Sequence, residues 1–150
     1  MSVKVAIDTN ILVYSVLGEQ EDVDETATSR KKTKEHNRKA AVAQQLIHEP
    51  SVFSIQVFNE FSNVMRKKHG FTSDEIRSVL EYVHATQTCA PLTWHTCSIA
   101  LEIAKDYGYS TYDSLMLAAA LLEGCDTLYS EDMQSGQVIN GSLTIINPFL

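Results

Sequence analysis

The sequence has little cysteine, and its three cysteines (Cys89, Cys97 and Cys125) are an odd number without a Cys-x-x-Cys spacing. This excludes a disulfide scaffold and a cysteine-rich zinc module, and we expect buried, reduced thiols. The chain also lacks a long apolar run, because its longest candidate, residues 115–122, is too short to span a bilayer. Its first residues do not form a signal-peptide pattern. We therefore expect a cytoplasmic protein with no membrane segment.

Basic residues are a minority, with 12 Lys and Arg against 19 Asp and Glu and a formal net charge of -7. This balance disfavours a protein that coats nucleic acid without specificity. Nine of the 12 bases nevertheless lie in residues 30–39 and 66–68, and a local patch can neutralise RNA phosphates despite an acidic total. The alternatives to RNA binding are that these bases stabilise a helix C-terminus or form an ordinary solvated surface. The candidate RNA-binding residues are Arg66, Lys67, Lys68, Arg30, Lys31 and Lys32.

The length of 150 residues suits one domain with one core. Short β-branched runs alternate with helical patterns along the chain, which is typical of a parallel sheet covered by helices on both faces. We therefore predict a single α/β domain over residues 1–150. The predicted strands are 3–7, 51–55, 88–92, 126–130 and 143–146, and the predicted helices begin near residues 40, 56, 73, 93 and 112.

Residues 19–39 differ from the rest of the chain in composition. Acids come first, bases follow, and few apolar residues are present for burial. We interpret this segment as a charged insertion within the domain, forming an exposed loop or a mobile helix end. Its acids are Glu19, Glu21, Asp22, Asp24 and Glu25, and its bases are Arg30, Lys31, Lys32, Lys34, Arg38 and Lys39.

Four acids occupy equivalent places near the ends of predicted strands. Asp8 directly follows the first strand, and Asp132 lies just beyond the strand at 126–130. Asp113 is in the first turn of its helix, and Glu60 is about one turn into the helix after the second strand. Because the carboxyl ends of parallel strands form one edge of the sheet, these carboxylates are expected to meet there.

Four carboxylates at one edge repel each other and raise each other's pKa unless a cation is present. Oxygen ligands without a neighbouring His or Cys favour Mg²⁺ or Mn²⁺ over zinc. Such an ion can hold a phosphodiester oxygen, activate water and neutralise developing charge. Spacing alone also allows a purely structural role for three of these acids. Asp113 could stabilise the helix dipole, Asp132 could be a turn residue, and Glu60 could be a solvent-exposed helix residue. Asp8 is the hardest to explain without a partner or a metal.

The local sequences around these acids resemble those of PIN-domain nucleases. The four motifs are VAIDTNILVYS at 5–15, NEF at 59–61, TYDSLMLAAA at 111–120 and LYSEDM at 128–133. The stretch GQVING at 136–141, followed by INPF at 146–149, is similar to the tail of a bacterial VapC-like subgroup. The resemblance extends over nearly the whole chain in the correct order, although residues 19–39 look longer and more charged than in the compact pattern.

The resemblance implies a three-layer α/β/α sandwich with a central, mainly parallel sheet. It implies a metal-dependent endoribonuclease in which Asp8, Glu60, Asp113 and Asp132 hold Mg²⁺ or Mn²⁺. Asn10, Ser130 and Glu131, which adjoins the fourth motif, would then orient metal, water or phosphate. Such proteins are often dimeric toxins that a cognate antitoxin inhibits.

The rival hypothesis is a catalytically silent PIN-like module that acts through RNA or protein binding alone. The four intact acids disfavour it. Other enzyme classes lack their motifs, since the sequence contains neither a P-loop nor a G-x-G-x-x-G fingerprint.

Overall fold

The computed structural model describes residues 3–22 and 26–150. Asp24 and Glu25 of the charged segment lie outside these described residues. Helices and strands alternate along the described chain as the sequence predicts. Their bounds are β1 Val5–Ile7, α1 Thr9–Leu17, α2 Ala27–His48, β2 Val52–Ser54, α3 Ile55–His69, α4 Ser73–Thr86, β3 Thr88–Ala90, α5 Trp94–Tyr107, α6 Thr111–Leu122, β4 Thr127–Tyr129, β5 Val138–Ile139 and β6 Leu143–Ile146.

The strands form one mainly parallel sheet in the order β3-β2-β1-β4-β6-β5. Strand β1 lies in the interior and pairs in parallel with β2 on one side and with β4 on the other. The chain first builds the sheet outward from β1 through β2 and β3, and then returns to add β4 and β6 on the opposite side. Such a reversal opens a crevice at the carboxyl ends of the two strands that flank it, here β1 and β4. With helices around the sheet, this is the predicted three-layer α/β/α arrangement.

The core is apolar and lies between the sheet and its helices. Phe53 of β2, Phe61 of α3 and Leu117 of α6 are all fully buried. In α3 the N-cap hydroxyl of Ser54 accepts a hydrogen bond from the Val57 amide, and the left-handed Gly70 ends the helix. These caps fix α3 directly against the end of β2. None of the helices within the described ranges is long and apolar enough to cross a membrane.

Helix α2 begins at Ala27, 13 residues before its predicted start at Ala40, so the predicted start of this helix was wrong. The Thr26 hydroxyl accepts a hydrogen bond from the Ser29 amide and caps the helix. Lys and Arg are good helix formers, and a helix that lies mostly in solvent needs little apolar surface. Only Ala40 and Ala43 of α2 are fully buried, so the apolar pattern is visible only in its second half.

The sequence interpretation omitted β5, which pairs antiparallel with β6. The two strands are joined through Asn140 and Gly141, which both have positive φ angles, of 50° and 72°. The Ser142 amide donates to the Ile139 carbonyl at 3.1 Å and closes this turn. Asn-Gly between β-forming residues is a strong hairpin signal, and the signal was present in the sequence.

Candidate active site

Asp8 lies at the crevice between β1 and β4, immediately after β1, and its side chain is only 4% exposed. The Thr9 amide donates to Asp8 Oδ1 at 2.7 Å, and the Ser130 hydroxyl donates to Asp8 Oδ2 at 2.6 Å. Ser130 directly follows β4, so the hydrogen bond between Ser130 and Asp8 joins the ends of the two strands that form the crevice. Both carboxylate oxygens of Asp8 therefore have a neutral donor.

Burial raises the pKa of Asp8 to about 6. Hydrogen bonds from Ser130 and Thr9 lower this pKa, whereas the negative charges of Asp113 and Glu60 raise it further. The charge of Asp8 is thus disfavoured in the fold both by desolvation and by its neighbours. A positive charge in the crevice would remove both penalties.

Glu60 lies in the second turn of α3 and is half-buried. Its Oε2 accepts a 2.7 Å hydrogen bond from the Thr9 hydroxyl, so Thr9 contacts both Asp8 and Glu60. Burial raises the pKa of Glu60, and the charges of Asp113 and Asp132 raise it further. The shared contact with Thr9 places Glu60 at the same edge of the sheet as Asp8.

Asp113 lies in the first turn of α6. The Asp113 amide donates to the N-cap hydroxyl of Ser110 at 3.2 Å. Burial raises the pKa of the Asp113 carboxyl, and the charge of Asp132 adds to this effect. A position in the first turn of α6 by itself favours the charged form of Asp113, whereas burial and Asp132 oppose it.

Asp132 lies in the loop after β4 and is exposed to solvent. The Asn10 side-chain amide donates to Asp132 Oδ2. Asn10 belongs to the first turn of α1, and this contact ties the loop after β4 to the helix after β1. Asp132 is therefore held over the crevice, although it is the most solvated of the four acids.

These carboxylates come from four separate segments and share one edge of the sheet. None of them forms an ion pair with Lys or Arg among the described residues. Within the same ranges, no group of three or more His, Cys, Asp or Glu residues is arranged so that it could hold a metal ion. The chemistry of the donor set, carboxylate oxygens without a paired cation in the described part of the chain, fits a hard divalent ion.

Glu131 occupies a different environment from the four acids. Its carboxylate forms an ion pair with Lys39 of α2 and accepts a 3.0 Å hydrogen bond from the Tyr14 hydroxyl of α1. Asn10 and Tyr14 are one helical turn apart, so α1 holds the consecutive residues Asp132 and Glu131 with one donor each. Glu131 thus fastens the loop to the helices on one side of the crevice.

The contacts of Thr9, Tyr14 and Lys39 were not identified from the sequence. Thr9 follows Asp8 in the first motif, and a hydroxyl at that place was a usable signal. Nothing in the sequence links Tyr14 or Lys39 to Glu131, since they are separated from it by 117 and 92 residues.

Comparison with known proteins agrees with this fold. Residues 5–136 match the sequence profile of the PIN domain. No curated protein matches the chain. Among solved structures, a toxin–antitoxin complex from Klebsiella pneumoniae contains a similar chain with a TM-score of 0.64 and 18% identity, covering 97% of both chains. VapC20 from Mycobacterium tuberculosis, a toxin that cleaves the sarcin–ricin loop, has a TM-score of 0.60 and 15% identity, covering 86% of this chain and 90% of its own.

Proposed function

The chain belongs to the PIN domain family, and from this we propose that it is an endoribonuclease that requires Mg²⁺ or Mn²⁺. One observation carries the proposal. Asp8, Glu60 and Asp113 come from separate segments at the carboxyl edge of the sheet, burial and neighbouring carboxylates raise their pKa values, and none of them has a cationic partner among the described residues. Burying a carboxylate without a compensating charge destabilises a fold, so such a group is expected to serve a function.

Asp8, Glu60, Asp113 and Asp132 would hold one or two divalent ions, directly or through water. When bound, such an ion supplies charge neutralisation and lowers the pKa of water for attack on a phosphodiester. Ser130 and Asn10 orient Asp8 and Asp132 by the hydrogen bonds described above. Among the described residues, no base placed for attack by a 2′-hydroxyl is evident at this edge, so the expected products carry a 5′-phosphate and a 3′-hydroxyl.

We further propose that the protein is the toxin of a toxin–antitoxin module. The similar Klebsiella pneumoniae chain belongs to a toxin–antitoxin complex, and the similar Mycobacterium tuberculosis protein is a toxin that cleaves an RNA loop. RNA would then be the substrate and a cognate antitoxin the inhibitor. We include a homodimer and a cytoplasmic location in the same proposal.

The deciding experiment is cleavage of end-labelled RNA during titration with Mg²⁺ or Mn²⁺, followed by analysis of the product ends. Asp8→Asn and Asp113→Asn keep the size of the side chain and remove one negative charge each. We expect metal-dependent cleavage by the wild type and at least a 100-fold loss in both variants (about 3 kcal/mol). Asp106→Asn, an exposed aspartate on α5, is the matched control and should cleave normally.

Cleavage without metal, or full activity in both variants, would remove the proposed mechanism. RNA binding without any cleavage at saturating metal would instead favour the silent-module alternative.

A further inference from the structure

The two basic clusters lie toward opposite edges of the sheet. Helix α3 starts at the carboxyl end of β2 and runs back toward the amino ends of the strands. It bears Glu60 near its start and Lys67 and Lys68 near its end. At 1.5 Å per residue, the seven residues from Glu60 to Lys67 correspond to about 10 Å along the helix. Although they share α3 with Glu60, these lysines are therefore directed away from the four carboxylates.

Helix α2 has the opposite relationship to the site. It ends at His48, just before β2, so its C-terminus lies near the amino edge of the sheet. Its 22 residues extend about 33 Å, far more than a strand of three residues. Because Lys39 contacts Glu131 in the loop after β4, the part of α2 before Lys39 extends beyond the carboxyl edge. The basic half of α2 thus stands on the same side of the sheet as the acids.

A hollow of about 430 Å³ lies along this half of α2. One end is formed by Tyr14 and Lys39, which both contact Glu131 next to Asp132. From there the hollow extends along the helix to Lys31, Lys32 and Thr28, with His36 and Glu35 completing its lining. The eight residues between Lys31 and Lys39 correspond to about 12 Å. The hollow therefore leads away from the four carboxylates toward exposed positive charge.

Some of the charged residues that line the hollow form ion pairs and others do not. Lys39 is paired with Glu131, and Glu35 is paired with Arg38. Neither Lys31 nor Lys32 forms an ion pair within the described part of the chain. Two lysines that have no ion pair with any described residue, near a negatively charged crevice, suit a ligand with separated negative groups, of which one reaches the crevice and others lie along α2.

We propose that the hollow along α2 binds the phosphates of the RNA strand on one side of the scissile bond. This inference rests on the proposed endoribonuclease function. Lys31 and Lys32 would neutralise phosphates, while the rings of Tyr14 and His36, whose centroids are 5.5 Å apart, offer aromatic faces beside them. The strand would run from the four carboxylates, past Glu131 and Lys39, to the basic half of α2.

The two clusters provide a matched pair of variants. Lys31→Gln/Lys32→Gln and Lys67→Gln/Lys68→Gln each remove two charges from adjacent, exposed lysines on a helix. The probe is a labelled single-stranded RNA of mixed sequence, and its affinity is measured by fluorescence anisotropy in EDTA at several salt concentrations. Thermal unfolding confirms that both variants are folded.

We expect the α2 variant to lose about tenfold or more in RNA affinity. Its plot of log affinity against log salt should become shallower by about 1.4, since each single-strand phosphate contact contributes about 0.7. The α3 variant should bind within about twofold of the wild type. In cleavage assays with Mg²⁺, the α2 variant should show a raised KM and a nearly unchanged kcat.

Failure of this inference is distinguishable from failure of the proposed function. If the wild type cleaves RNA and the α2 variant binds and cleaves as well as the wild type, the hollow is not the RNA path, yet the nuclease stands. Unchanged RNA affinity with lost antitoxin binding would assign the hollow to the protein partner and overturn the inference. If the wild type neither binds nor cleaves RNA, both proposals fall together.

Discussion

The Ser130 hydroxyl donates a 2.6 Å hydrogen bond to Asp8 Oδ2 across 122 residues of sequence. The same hydroxyl oxygen accepts a hydrogen bond from the Met133 amide at 3.3 Å, and this fixes the direction in which its proton points. Both Asp8 and Ser130 are buried, at 4% and 0% exposure. The contact therefore joins the two strands at the crevice and stabilises the charged form of Asp8.

Ser130→Ala should destabilise the protein at neutral pH. The variant loses a buried hydrogen bond to a charged group, which typically contributes about 1.5–3 kcal/mol, and the pKa of Asp8 should rise because that bond lowers it. Urea unfolding at pH 7.5 in EDTA measures the change in the free energy of unfolding. Ser78→Ala, which removes an exposed hydroxyl, is the control and should change it by less than about 0.5 kcal/mol. Equal stability of the two variants would show that the contact contributes nothing.

Asp8→Asn should abolish cleavage without weakening the metal-free fold. With a pKa of about 6, Asp8 is ionised at pH 7.5 at a cost that the neutral amide avoids, although Asn cannot accept hydrogen bonds at both side-chain positions. We expect the free energy of unfolding in EDTA to stay the same or rise by about 1 kcal/mol. Asp106→Asn should leave both stability and cleavage unchanged. A clear loss of stability in metal-free Asp8→Asn would identify Asp8 as a structural residue.

Metal-free protein should become more stable as the pH falls from 7.5 to 5. The pKa of Asp8 is about 6 in the fold against an ordinary 3.8, so the folded state binds the proton more tightly and stability rises as the pH falls through about 6. Asp8 alone contributes about 1.4 kcal/mol over this range. Burial also raises the pKa values of Glu60 and Asp113, with the same sign. Unfolding in urea across this pH range measures the trend.

The slope of that pH profile should become smaller in Asp8→Asn, because the variant lacks the titrating group. A wild-type profile that is flat or rises toward pH 7.5 would contradict the raised pKa values of the crevice.

Divalent ions should stabilise the wild type more than a variant that lacks one of the four carboxylates. An ion that binds only the folded state adds about 2.7 kcal/mol at 100 times its dissociation constant. Mg²⁺ or Mn²⁺ should therefore raise the Tm of the wild type above its value in EDTA, and Asp113→Asn should lose most of this shift. NaCl at the same ionic strength controls for screening. An identical shift in wild type and variant would place the ion elsewhere.

Local patterns predicted much of the fold and one part of the site. The alternation of strands and helices and the position of Asp8 at a strand end follow from periodicity along the chain. The first half of α2 was missed because it buries almost no apolar surface, so its helicity depends on Thr26 capping and on side-chain propensity. The β5–β6 hairpin was missed although Asn140 and Gly141 marked it.

Contacts between distant segments were beyond prediction from periodicity. The sequence suggested Glu131 as a neighbour of the fourth motif, but only the packing of α1 and α2 reveals that Tyr14 and Lys39 hold it. The opposite placement of the two basic clusters likewise depends on helix direction relative to the sheet. Two clusters that look equivalent as charge runs are therefore different surfaces in the fold.

The Lys39–Glu131 pair should contribute measurably to stability. The side chains are only 19% and 20% exposed, so this pair is screened less than the exposed Arg77–Glu81 pair, at 75% and 69%. A double-mutant cycle with Lys39→Met and Glu131→Gln isolates their interaction, for which we expect about 1–2 kcal/mol. The Arg77→Met and Glu81→Gln cycle is the control and should give no more than about 0.5 kcal/mol.

The same variants distinguish two roles of Glu131: holding the loop after β4 in place, or contacting the phosphate of the substrate directly. If Glu131 acts by holding the loop that bears Asp132, Lys39→Met and Glu131→Gln should lower cleavage to a similar degree, and the double variant should be little worse than either. If Glu131 contacts the substrate, Glu131→Gln should lower cleavage while Lys39→Met has a much smaller effect. Because Lys39 also borders the proposed RNA path, these rates are compared at saturating RNA, where the loss of an RNA contact through KM no longer affects the result.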